Sequence, residues 1–309
     1  MTLKRLNPVK QTCMASLLFM AVLLQGCFTG IEYTPKITYK DVKKEKIRVT
    51  DEQRIADSFT PDPISGWHTG KKLYVTDPKI SLVLNGEYRF AKGDTLIYAG
   101  QKRGNTYYGE ERVIQLFRST KYPGDTIEST LAQPVDAVSG ISRFPFIIDM
   151  DLIAKMRSAL VGKTYYLTTS QWYTPEGDMR AGRKFVPVEI TAVNPWSEDY
   201  TAIVSFSDHS NGVTGCVLMS QNSGNSLRGF DTLFAIENPR KRYPNVTDAN
   251  WTAIQNSSIN EGMTRQEVQA SLGAPSTIDR GHNQSNAYER WIYSDGVSLV
   301  FIDGILISK

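Results

Sequence analysis

Residues 262–275 read GMTRQEVQASLGAP, and this stretch decides how the end of the chain folds. Thr264 followed three residues later by Glu267 makes a capping box. The hydroxyl can accept from an unpaired helical N–H while the carboxylate reaches back to the N–H of Thr264. Val268 and Leu272 stand four apart and supply the buried stripe of the helix that starts there. Gly273 fits a left-handed C-cap, and Pro275 stops continuation. Upstream, Trp251, Ile254 and Gln255 share an earlier helix that begins near Asp248. Downstream lie three strand candidates, 287–293, 297–302 and 305–308. Asp295-Gly296 and Asp303-Gly304 separate them, and such pairs tolerate the positive φ of tight hairpin turns. Two helices followed by three antiparallel strands form a two-layer unit, with the helices on one sheet face.

The ordered pieces Gly262-Met263-Thr264, Glu267-Val268, Leu272-Gly273-Ala274-Pro275, Trp291-Ile292-Tyr293 and Phe301-Ile302-Asp303-Gly304 resemble the BamE-like domain, the SmpA/OmlA family, over residues 248–308. The resemblance implies a noncatalytic envelope module that supports outer-membrane assembly or binds partner proteins. The same fold serves as a binding surface in bacterial lactamase-inhibitor proteins. This chain departs from the small assembly lipoprotein in being far longer and in carrying the module at its C-terminal end.

Between residues 66 and 230 the dominant signal is short strands. The runs at 73–76, 95–98, 113–117, 165–168, 185–190 and 201–206 are rich in aromatic and β-branched residues, with Gly, Asp, Asn and Pro between them. Pro187 suits an edge or a bulge better than a central strand. Residues 70–76 and 162–168 echo each other as Gly-Lys followed by a Tyr-containing strand, which points to two related small β-barrels; the β-rich regions resemble the small barrels of the Src-homology-three and bacterial envelope kind. Between them, Leu152, Met156 and Leu160 recur at helical spacing in residues 149–160, a helix expected to cover an open barrel end. The fold class is therefore α+β and mostly β, with one or two small barrel-like domains before the two-layer domain. The divisions fall at 1–26, 27–60, 61–148, 149–240 and 241–309.

The first of these divisions is an address. Lys4, Arg5 and Lys10 precede an apolar run over 14–24, the length of a signal-peptide core and too short to remain as a membrane span. Leu24-Gln25-Gly26-Cys27 resembles the lipobox of bacterial lipoproteins, although Gln25 is bulkier than that family usually carries. The resemblance implies cleavage before Cys27 and lipid on its thiol and amine, with no other cofactor. Phe28 is not the aspartate associated with inner-membrane retention, so the outer membrane is the expected location, in either orientation. Residues 28–60 read as a polar tether, in which Thr50 and Gln53 can open a short helix.

Processing changes the charge. The chain holds 35 basic and 32 acidic residues, and the three basic residues of the signal account for the whole excess. Nothing in that balance argues for nucleic acid. Cys13 leaves with the signal and Cys27 carries lipid, so Cys216 has no internal disulfide partner; its apolar run makes it a small buried hydrophobe.

Catalytic patterns fail on their surroundings. Val161-Gly162-Lys163-Thr164 has the tail of a phosphate loop, but Arg157 stands where the first glycine belongs and a strand follows where a helix should. Asp208-His209-Ser210 lacks a nucleophile elbow. Asp149 and Asp151 suit a helix N-terminus. Trp172 and Tyr173, before the Pro175-Glu176-Gly177 turn, read either as core or as an interaction surface. The leading expectation is a noncatalytic lipoprotein that binds an envelope protein. Cell-wall or glycan binding follows, and an envelope hydrolase is third.

Overall fold

The computed structural model describes residues 49–140, 143–221, 228–283 and 286–308, with side chains at 282–286 left aside. The signal, Cys27 and the tether through residue 48 lie outside the described residues. From Val49 onward the chain forms a single contact unit. It opens with helix α1 (Asp51–Ser58), where the Thr50 hydroxyl accepts from Gln53 N–H as the local sequence predicts.

Among the described residues, sixteen strands follow in three antiparallel sheets. The first contains β1 (Lys72–Val75), β2 (Thr95–Asn105), β3 (Glu111–Ser119), β4 (Tyr122–Pro134) and β5 (Ile147–Asp149), in the order β4-β3-β2-β1-β5. The second contains β6 (Thr164–Leu167), β7 (Gln171–Tyr173), β8 (Met179–Ala181), β9 (Val186–Pro195), β10 (Ala202–Asp208), β11 (Thr214–Met219) and β12 (Phe234–Ala235). Its order is β12-β6-β9-β10-β11-β7-β8.

Once the β7–β8 hairpin is set aside, both sheets have the same order. The last strand returns to pair with the first, and three antiparallel strands follow on the first strand's other side. The echo seen in the sequence sits at the same place in each. Gly70 and Gly162 both take positive φ, and β1 and β6 share one alternation of exposed and buried side chains.

Neither sheet closes, which corrects the expectation of barrels. Closure needs the outermost strands to pair. Instead the free edge of β11 is occupied by β7, while β4 meets the Asn85 segment through one isolated bridge to Glu128. Helix α2 (Met150–Leu160) accordingly covers a sheet face and not a barrel mouth. Its Leu152, Ile153, Met156 and Leu160 share a core with Val186, Val188, Ile190 and Val193 of β9. Pro187 is also corrected: β9 lies between β6 and β10, in the sheet interior. The residue fits because β10 ends at Asp208, opposite Val188, so no strand stands on the side where a Pro187 N–H would point; its carbonyl on that side takes His209 N–H.

After the short helix α3 (Phe230–Leu233) and β12 come α4 (Asp248–Gln255) and α5 (Arg265–Leu272). They lead into β13 (Thr277–Asn283), β14 (Asn286–Ile292), β15 (Ser298–Ile302) and β16 (Ile305–Ser308). The capping box on Thr264 and Glu267 is formed, and Gly273 takes φ +85° at the helix end. Asp303 and Gly304 both have positive φ at the last hairpin. The sheet has four strands where three were expected, because β13 pairs with β14 along its whole length. Ile254, Met263 and Val268 pack on Trp291, Leu299, Phe301 and Leu306 to form a separate core.

Candidate functional site

The terminal sheet has one face under its helices and one face free of them. Side chains alternate along a strand, so burying Trp291, Leu299, Phe301 and Leu306 turns Arg290, Ile292, Val300, Ile302, Ile305 and Ile307 outward. Register then lines them up across strands. Gly281, Tyr288, Ile302 and Ile305 form one row; Asp279, Arg290, Val300 and Ser308 form the next. The Tyr288 ring lies over Gly281 so closely that a Cβ there would stand 2.4 Å from it. Tyr288, Ile305 and Ile307 are exposed, and Asp279 and Arg290 face each other beside them.

The sheet's opposite, helix-covered face is fixed by charge. Glu289 takes Arg280 at 3.0 Å, Arg265 of α5 at 3.1 Å and the Trp291 indole N–H at 3.0 Å. Burial raises its pKa, but the Trp291 and Arg280 bonds with the two guanidinium charges outweigh that and leave it below the ordinary value. The outward rows are therefore backed by a strand tied to its neighbour and to α5 by ion pairs.

A second polar cluster lies where the first sheet meets α2. Lys71 is 1% exposed, with Nζ 2.6 Å from Asp149, 2.9 Å from Asp151 and 3.7 Å from Asp62. Desolvation lowers the ammonium pKa, yet bonds to the two aspartates reverse this and raise it overall. His68 Nε2 completes the cluster at 2.9 Å from Asp151. The pKa of His68 is raised by the Thr69 carbonyl and then by that carboxylate. Asp149 also caps α2 by accepting Asp151 N–H, as expected of an acid at a helix start. The ammonium occupies the centre of the carboxylates, an arrangement that ties β1 and β5 to α2.

The Asp208-His209-Ser210 segment is a polar turn. Asp208 accepts from Ser210 and from Arg183 at 2.6 Å, whereas the His209 ring faces Glu189 at 3.3 Å. Burial would raise the Asp208 pKa, but the Ser210 and Arg183 bonds hold it low. Imidazole and hydroxyl are thus held by different carboxylates. Among the described residues no group of three or more His, Cys, Asp or Glu is placed to hold a metal ion.

Trp172 and Tyr173 are buried, at 3% and 8% exposure, which corrects their reading as an interaction surface. Trp172 packs edge-on against Phe206 in the main core, with its indole N–H on the carbonyls of Thr169 and Arg183. Tyr173 joins Ile203, Cys216 and Leu218 in a satellite cluster. Beside it lies a cavity of about 140 Å³ bordered by Arg180, Ser205 and Cys216. Cys216 is free and buried, and desolvation pushes its thiol pKa up.

The exposed aromatic mass is elsewhere, at Tyr107 and Tyr108 between β2 and β3, 98% and 88% exposed. The local signal was Thr-Tyr-Tyr-Gly between two strand runs, a turn pattern carrying aromatic corners. No known protein-family profile matches the chain, and no curated protein matches it. Among the described residues no helix is long and apolar enough to cross a membrane.

Proposed function

We propose that the chain is a noncatalytic envelope lipoprotein, anchored through lipid on Cys27, whose terminal module binds a partner protein. The observation that carries the reading is the outward row Tyr288, Ile302 and Ile305, with exposed Ile307 beside it and the Asp279–Arg290 pair along its flank. Apolar residues bordered by charge are the usual composition of a protein-binding patch. The lipobox at residues 24–27 supports the anchor, and its Phe28 supports the outer membrane as the location. The helix–helix–sheet order and the turn residues of residues 248–308 support a BamE-like reading of that module. The shared strand order of the first two sheets supports a duplicated five-stranded open-sheet unit. Neither nucleic acid nor a cofactor other than the lipid enters the reading.

The test places a photo-crosslinking residue at Ile305 in the full chain expressed in its own envelope, with Ala274 as an exposed control on the helix side. The expected result is a discrete adduct from position 305, absent at 274 and lost when Ile307→Asp is added. Equal labelling at both positions, or no adduct at 305, would sink the proposal.

A further inference from the structure

Tyr107 and Tyr108 stand at the two corners of a turn. Gly109 N–H donates to the Thr106 carbonyl at 2.9 Å, and Thr106 N–H donates to the Glu110 carbonyl at 2.9 Å. Gly109 closes the loop with φ +78°. Corners of this kind commonly hold small polar residues that bond their own backbone. Here both project large rings outward, edge to face, with centroids 5.5 Å apart. The support leaves the core before it reaches them: Gln101, Lys102, Arg103 and Asn105 are exposed, and half-buried Gly104 is covered by Ile114.

The charges around the tip are neutralised in pairs. Lys102 meets Glu128 at 2.5 Å, Arg103 meets Glu111 at 3.5 Å, and Arg112 meets Glu110 at 2.6 Å. The tip is therefore an electroneutral arm ending in two amphipathic rings. Tyrosine rings of this kind concentrate at the membrane–water interface, where the phenol meets water and headgroups while the ring body meets acyl chain. The chain outside the structure allows such a contact. The covalent length of 21 residues, 28–48, sets a limit of about 75 Å, which does not keep a body tied at Cys27 from meeting the same bilayer.

We propose that the β2–β3 tip seats Tyr107 and Tyr108 in the headgroup layer of a membrane, as a second, non-covalent contact. The contact rests on the lipid-anchor reading for its proximity to a bilayer. Because the flanking charges are paired, it depends on the rings and not on anionic lipid. An unpaired cation would change binding about fivefold between neutral and anionic surfaces; this tip changes it by less than about twofold.

The experiment uses the full chain, purified from membranes and placed in vesicles of phosphatidylcholine, with or without phosphatidylglycerol. Tyr107→Cys carries an environment-sensitive fluorophore, Glu261→Cys serves as an exposed control, and buried Cys216 stays unlabelled. Lipids brominated near the headgroup should quench the probe at 107 several-fold more than the probe at 261, equally in both vesicle types. The same difference should fall by half or more when Tyr108→Ser is added. Intact mass on the same sample reports lipid at Cys27. Lipid present with equal quenching at 107 and 261 overturns the contact and leaves the anchor. Lipid absent with selective quenching at 107 supports the contact and removes the anchor. Retention on peptidoglycan that requires Tyr107 and Tyr108, without lipid quenching, overturns the contact in favour of a glycan site.

Discussion

Lys184 is placed where an ammonium is costly. It is 9% exposed, lies near the Phe185 ring and donates to the Ser271 carbonyl at the end of α5. Burial lowers its pKa from 10.5 to about 8. Between those values the unfolded chain keeps the proton and the folded chain releases it. The unfolded state then binds more protons, so this residue makes stability rise with pH from about 8 to 10.5. At neutral pH the desolvated cation costs at most on the order of 3 kcal/mol. Lys184→Met is expected to raise stability at pH 7 by about 1–2 kcal/mol, less what the Ser271 carbonyl loses with its donor. Urea unfolding at pH 7 and pH 9.5 checks this, since the gain should shrink at the higher pH. An equal effect at both values would exclude the desolvation account. None of this was legible in the sequence, where Lys184 is one cation in a polar loop and its cost comes from residues nearly ninety positions away. Trp172 and Tyr173 failed as a surface for the same reason: the ring next to a turn looks exposed until β11 is known to lie beside it. Tyr107 and Tyr108 lie in a turn that local sequence encodes, but the exposure of their rings is not marked by the strand pattern on either side.

The elements divide along that line. The capping box formed as read because Thr264 and Glu267 lie within hydrogen-bond reach once one helical turn exists, whatever surrounds them. Beside the box's own bond from Thr264 N–H at 2.7 Å, Glu267 gains a further tie, accepting from Asn250 of α4 at 2.9 Å. Burial works against its ionised form, yet these bonds keep its pKa below the ordinary value. Thr264→Ala should therefore lower the stability of residues 248–308 by about 1 kcal/mol. Hydrogen exchange should show the loss at the amides of Glu267 and Val268 more than at β9. A uniform loss over the whole chain would contradict a local cap. Strands were less legible where partners decide them. β4 reads as polar and turn-rich, with Pro123, Gly124 and Pro134 in it, and is a strand because β3 offers a full-length edge. β13 carries Asp279, Arg280 and Gly281, and Gly281 is tolerated because the Tyr288 ring fills the missing side chain's place. Pattern alone cannot supply a neighbour.

At the scale of the whole molecule, the joints between cores are unequal. Ile148 of β5 and Tyr74 of β1 belong to the same apolar cluster as α2 and β9, so the first two sheets are joined through continuous packing. The terminal core meets the second sheet mainly through the Lys184–Phe185 corner. There Phe185 takes φ +57°, a costly conformation for a bulky residue, and stacks on Trp251 at 5.6 Å with an 18° tilt. Polar bonds surround it: Lys184 N–H to the Gln255 carbonyl at 2.9 Å, the Gln255 amide to the Phe185 carbonyl at 3.2 Å, and Ser257 to Ser170 at 2.9 Å. Arg240 also lies over the Trp251 ring, at 4.9 Å. A strained residue held by one stacked ring and a few hydrogen bonds is a weak joint between two strong bodies. Trp251→Ala removes the ring that supports it and should cost about 3 kcal/mol, drawn from the terminal module. Calorimetry should then show two transitions in place of one, with residues 248–308 melting first and the two larger sheets keeping the parent midpoint. Selective early exchange of the β14 and β15 amides would identify the lower transition. If the variant instead melts in one transition, shifted as a whole, the corner is not a joint and the three sheets form a single cooperative body.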